Sequence, residues 1–366
     1  MPLKPIRSLA LLLLASHVAA HASTAACRAT APSPLGTSIA AIALREYAEF
    51  DGHRIDAEGR LWKFGATESE FSVLLDPGTG RRDASRPGRY AWRRVWEYWR
   101  TLAQHVPGAD EDRMLMVAPG LLDAPADAGA ATTYRLGELL RQTEDLEADI
   151  AEPLRQAAVR AAMNDTPWSA AFISFVMDRA GLSAAQFRYS AAHWKYVQRA
   201  FAPSLDYAWV ACDPESARPA VGDLLCYSRG TAPLKRYAEW RDAVALRGIA
   251  APAHCEVVTL VDADARKMET VGGNVLQSVA RRKLKLNSAM LLSRSYDPDR
   301  SSSSRIRECA RDPSCEAANL NMQYWSVLLK LRPDLRPDPK SDTAKPGHET
   351  DDTTEASDRG IARHAR

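Results

Sequence analysis

The spacing of apolar residues changes once along this chain, near residue 220, and that change limits the folds open to it. Upstream, apolar positions recur at helical spacing in 38–50 (SIAAIALREYAEF), 90–105 (YAWRRVWEYWRTLAQH), 132–163 and 168–180. Pro153 is expected to break the third of these, and Gly181 to close the fourth. Downstream, 222–229 (GDLLCYSR), 254–262 (HCEVVTLVD) and 267–273 (KMETVGG) alternate and read as strands. SVARRKLKLN and AMLLSR supply one or two more, and a short helix is expected around MQYWSVLLKL. Helices first and strands afterwards predict an α+β fold built on an antiparallel sheet.

The 366 residues suffice for one sizeable domain with extensions, or for two domains. The content of 46% hydrophobic and 26% charged residues is that of an ordinary globular protein. Basic residues number 48 and acidic residues 46, and no long basic stripe occurs, which argues against a nucleic-acid partner. Residues 1–22 read as a bacterial Sec-type signal peptide. Lys4 and Arg7 precede an apolar run from Leu9 to Leu14, and Ala20-His21-Ala22 fits a cleavage pattern with Ser23 as the mature start. An N-terminal membrane anchor is the other reading, but the run is short for a bilayer, and no later stretch is long and apolar enough to cross one. A lipid anchor on Cys27 is disfavoured, because STAA before it is a poor lipidation signal. The expected location is therefore periplasmic or secreted. Residues 23–37 read as a linker, 38–160 as a helical lead-in, 161–296 as the core, 297–336 as a C-terminal extension and 337–366 as a disordered tail.

The segment DTPWSAAFISFVMDRAG (165–181) places a small hydroxyl, Ser169, at the front of an apolar helix, beside Trp168. Such a serine is either a plain helix cap or a nucleophile at the positive end of the helix dipole. A nucleophilic serine needs a base within hydrogen-bond reach. His17 and His21 fall in the leader, and His348 and His364 in the tail, which leaves His53, His105, His193 and His254. Only His254 opens an expected strand. A hairpin centred on Asp264 would set Asn274 opposite it, where a carboxamide can fix the imidazole tautomer. Gly272 and Gly273 would let the backbone bend around a ligand, with Trp168 and Gly273 beside the substrate. His193 either lines the cleft or is a buried histidine satisfied by its neighbours. The stripe Trp92, Val95, Trp96, Trp99 and Leu102 reads as core packing, with a sugar-gripping face as the alternative.

The order PWSAAFISFVMDRAG, PAVGDLLCYSRG, HCEVVTLV and VGGN resembles the papain-like cell-wall hydrolases, the NlpC-type peptidases and CHAP amidases. Its PWSAAF form resembles an uncharacterised bacterial family of exported proteins within that group. The resemblance covers about residues 160–290 and implies a papain-like core, with a nucleophile-bearing helix packed on an antiparallel sheet. It implies Ser169 as nucleophile, His254 as base and Asn274 as orienting residue, with Gly222 and Asp223 structural. Serine stands where these hydrolases carry cysteine. A serine needs concerted proton removal, whereas a thiolate–imidazolium pair is stable at neutral pH.

The expected function is hydrolysis of peptide or amide bonds, with peptidoglycan peptides or another cell-envelope ligand as partner. An inactive cell-wall or protein-binding module on the same fold is the alternative, and a secreted toxin a third reading. The six cysteines form no Cys-x-x-Cys pair and no zinc-spaced cluster, so no metal and no cofactor is expected. Structural bridges are the expected use of these cysteines. Cys226 and Cys255 form one candidate bridge if their strands pair, and Cys309 and Cys315 another.

Overall fold

A computed structural model of the chain describes residues 25–69, 91–118, 132–230, 232–246, 251–299 and 319–337. The proposed leader, Cys309, Cys315 and all but the first residue of the proposed tail lie outside them.

The strand readings after residue 220 produce β6 (Leu224–Ser228), β7 (Ala253–Asp262), β8 (Lys267–Val275) and β9 (Ser278–Lys285). Each pairs antiparallel with the next, and the β7–β8 hairpin closes at Asp262↔Lys267. Around them stand β1 (His53–Ile55), β2 (Leu61–Lys63), β5 (Trp209–Cys212) and β10 (Trp325–Leu331), giving one sheet ordered β2-β1-β9-β8-β7-β6-β10-β5. The sheet is mixed rather than purely antiparallel, because β1 runs parallel to β9. β3 (Leu115–Ala118) and β4 (Thr132–Arg135) form a separate ladder.

β10 corrects the helix expected around 322–331. All of its residues are buried, between β6 on one side and β5 on the other. A strand covered on both faces shows no alternation, so its sequence resembles a buried helix. The segment read as a C-terminal extension thus supplies an inner strand. AMLLSR yields only the bridge Leu286↔Leu292 before a short helical turn at Arg294–Tyr296.

α1 (Pro34–Glu49) begins inside the expected linker, capped by Ser33, whose hydroxyl accepts from the Gly36 amide at 3.0 Å. It lies on β7, β8 and β9. α2 (Ala91–His105) buries Trp92, Val95, Trp99 and Leu102, so that stripe packs the core. The long helix expected over 132–163 is instead β4, α3 (Leu136–Arg141) and α4 (Ala148–Asp165). The interruption falls at 142–147, not at Pro153, which α4 accommodates. The Thr143 hydroxyl turns back to donate to the Leu140 carbonyl and accepts from Arg155 Nε, both at 2.7 Å, which fixes the corner. α5 (Ser169–Arg179) packs between α2 and the strands β7 and β8. α6 (His193–Phe201) lies against β5 and β7.

The sheet separates two cores. Phe50, Trp99, Trp168, Phe172, Cys226, Cys255, Val257 and Val271 share the helix-side core. Leu225, Tyr227, Val258, Met268, Leu284 and Trp325 fill the other. Cys226 and Cys255 are cross-strand partners and form a disulfide, as strand pairing predicts. A second disulfide, Cys27–Cys212, ties the expected linker to β5 and commits the sulfur on which a lipid anchor would depend. Among the described residues no cysteine is free.

The Gly222-Asp223 pair is structural. Gly222 has φ +93°, and a Cβ there would lie 2.3 Å from the Gly36 Cα. The Asp223 carboxylate accepts from Lys330 Nζ at 2.6 Å, from the Ala220 amide at 2.6 Å and from the Leu331 amide at 2.9 Å. This buried pair joins the entrance of β6 to the end of β10.

Candidate functional site

Ser169 is the first residue of α5, and its cap residue Trp168 offers no side-chain hydrogen bond to the helix end. Phe172 is the first residue of α5 to donate to a helical carbonyl, that of Trp168, at 3.0 Å. The amides of Ser169, Ala170 and Ala171 therefore have no acceptor within the helix. The Ser169 hydroxyl does not cap them. Its Oγ lies 2.7 Å from His193 Nε2. The plain-cap reading is thereby overturned.

His193 opens α6, so the N-terminal ends of two helices meet at this hydrogen bond. The Tyr196 hydroxyl, one turn along α6, bonds to His193 Nδ1. Burial, then the neighbouring His254 and Arg229, hold His193 well below the usual imidazole range. Burial first, then Arg229, also depress His254, to about 4, although Glu256 acts the other way. Both rings are neutral at neutral pH.

Ser169 is hydrogen-bonded to His193 and not to His254, the histidine expected beside it. Alternation along β7 sends Cys255 and Val257 into the core under α5 and His254, Glu256 and Val258 to the other side. There His254 contacts its cross-strand partner Tyr227, with ring centroids 5.3 Å apart, and neither ring nitrogen makes a hydrogen bond among the described residues. The Glu256 Oε1 is 3.4 Å from its Nε2. Glu256 is mainly engaged by Arg282, at 3.1 Å, and by the Thr270 hydroxyl. Burial alone would raise the Glu256 carboxyl; Arg282 and His254 outweigh it and hold it well below the usual range. The His193 ring centroid lies 5.1 Å from that of His254.

Asn274 does not orient His254. The β7–β8 pairing, already shifted between Val258 and Leu260, ends at Val257↔Val271; three residues further that register would bring 254 and 274 together, but β8 is irregular between Gly272 and Val275. Asn274 adopts φ +53° there, and no hydrogen bond from its side chain forms among the described residues. Trp168 and Gly273 are core rather than substrate wall. Trp168 is fully buried, 5.7 Å from the Phe50 ring, and the bare Gly273 backbone admits it. A Cβ on Gly273 would lie 2.5 Å from Phe172 Cβ and 2.8 Å from a Trp168 ring carbon. Gly273→Ala is expected to lower the unfolding free energy by about 1–3 kcal/mol in urea denaturation, by forcing α5 off β8.

Of the expected substrate-binding residues, His193 alone joins Ser169. The one signal for it in the sequence is the spacing His193-x-x-Tyr196 at a helix start, which lets the tyrosine hydroxyl reach the ring. Ser169 is 5% exposed and His193 4%. A groove of about 510 Å³ passes their chain neighbours Pro167, Ala191 and Ala192.

Residues 131–331 match the model of a family described as an uncharacterized protein conserved in bacteria, DUF2272. The chain belongs to this family. The DUF2272 segment runs from the start of β4 to the last residue of β10, so it contains α5, α6 and the inner strand, and leaves α1 and α2 outside. No curated protein and no solved structure matches the chain. Among the described residues of this DUF2272 protein, no group of His, Cys, Asp or Glu is placed to hold a metal, and no helix is long and apolar enough to cross a membrane.

Proposed function

We propose that this DUF2272 protein is an exported hydrolase of peptide or amide bonds in peptidoglycan, with Ser169 as acyl acceptor and His193 as base. The observation that carries the reading is the 2.7 Å contact between Ser169 Oγ and His193 Nε2 at an uncapped helix end. In the productive tautomer His193 Nδ1–H donates to the Tyr196 oxygen, and Nε2 accepts the serine proton as Oγ attacks the carbonyl. The amides at the front of α5 face the developing oxyanion. The imidazolium then returns its proton to the leaving amine, and water repeats the sequence on the acyl-serine. The resemblance to papain-like cell-wall hydrolases and the position of α5 against β7 and β8 support the reaction class. The two disulfides support export to an oxidising compartment.

A binding module without turnover is the second reading, favoured by the burial of Ser169 and His193. A hydroxyl-directed fluorophosphonate separates the two. The hydrolase reading expects Ser169 to be the labelled residue, no label in Ser169→Ala, and a labelling rate lowered about 100-fold or more in His193→Ala. Absence of label in the wild type, or label surviving Ser169→Ala, overturns it.

A further inference from the structure

Two grooves, lined in part by residues within three positions of Ser169 or His193, share Arg113 as a wall residue. One, of about 510 Å³, also includes Arg135. The other, of about 450 Å³, includes Arg188 and Lys195. Arg113, Arg188 and Lys195 have no carboxylate partner among the described residues; the Arg135 guanidinium donates to the Asp112 carbonyl, at 3.2 Å, and it is the Arg135 backbone amide, not the guanidinium, that donates to Glu138, at 3.3 Å. Asp112 is the one carboxylate among the residues lining either groove, and His105 is already paired with Asp178 at 2.8 Å. A third groove, bounded by Asp213 and Tyr324, shows the opposite pattern. Its cations are taken: Arg236 by Asp297 at 2.7 Å, Lys235 by Asp299 at 3.0 Å and Arg294 by Glu215 at 3.0 Å.

Unpaired cations around concave walls concentrate positive potential there, and a guanidinium fork matches a carboxylate or phosphate through two parallel hydrogen bonds. We infer that the grooves meeting at Arg113 seat an anionic ligand, and that its charged group is a carboxylate read by Arg113 and Arg135. That this ligand is the acyl substrate rests on the hydrolase reading; the anion seat itself does not. The charged group then docks on the Arg113 side while the scissile carbonyl approaches past Pro167 and Ala192, the residues flanking the Ser169–His193 pair.

Calorimetric titration of the full chain with glutaric acid monoanilide, its methyl ester and inorganic phosphate tests this. The acid is expected to bind about tenfold or more tightly than the ester at low salt, and Arg113→Ala/Arg135→Ala to abolish the difference. Equal binding of acid and ester, no binding of the acid, or a preference that survives the double substitution overturns the inference. Phosphate binding as tightly as the acid overturns the carboxylate assignment. Preference for the acid together with absence of fluorophosphonate label leaves the anion seat standing and sinks the hydrolase reading alone.

Discussion

Asp223→Ala lowers the unfolding free energy by about 3–5 kcal/mol, the range for a buried ion pair that loses one partner. Lys330 Nζ is then left in a nearly closed interior with only the Arg218 carbonyl, at 2.9 Å, and the amides of Ala220 and Leu331 lose their acceptor. Adding Lys330→Met removes the stranded charge and restores part of the loss, leaving a deficit of about 2 kcal/mol or more from the two orphaned amides. Urea denaturation followed by tryptophan fluorescence reads both variants. A single substitution that costs under about 1 kcal/mol would show that the pair does not join β6 to β10.

Acid is expected to weaken the protein well before its carboxylates titrate. His254 binds a proton near pH 6.5 in the unfolded chain but only near 4 when folded, because burial and Arg229 oppose its charge. Between those values the unfolded state holds more protons, so stability is complete above about pH 7.5 and is lost as pH falls toward 4. From pH 8 to 5 this single group costs about 2 kcal/mol, and His193, depressed by its own burial, adds in the same direction. Glu256 acts later: its stabilisation is present above the ordinary carboxylate value and disappears only in stronger acid. Denaturation at pH 8 and pH 5 should show the loss, and His254→Gln should remove about 2 kcal/mol of the difference. A flat profile, or a slope unchanged by that substitution, contradicts a neutral buried imidazole at this position.

Alternation and the turn signals between the strands made the β6–β9 meander legible, but not its residue-by-residue register, which shifts between Val258 and Leu260 of β7. β10 and β5 lie outside that run of hairpins, each apart in sequence from the strands it pairs with, so no neighbouring turn and partner strand marked them. Ser169 was legible as a hydroxyl at a helix front. Its partner was not, because the choice between His254 and His193 turns on which side of β7 a residue projects, and β7 carries a core on each side. Cys255 and His254 are neighbours in sequence, and a one-residue parity decides which faces α5. Asn274 depended on regular pairing carried into a stretch where β8 departs from it. The pair Gly222-Asp223 was legible as structure, although the partner lysine lies 107 positions away.

The two disulfides among the described residues join cysteines in the order in which synthesis delivers them: 27 with 212, then 226 with 255. A thiol oxidant that links each newly arrived cysteine to the one still waiting would make both native bonds at the first attempt. Among these four thiols, oxidation in chain order leaves no wrong crosslink to undo.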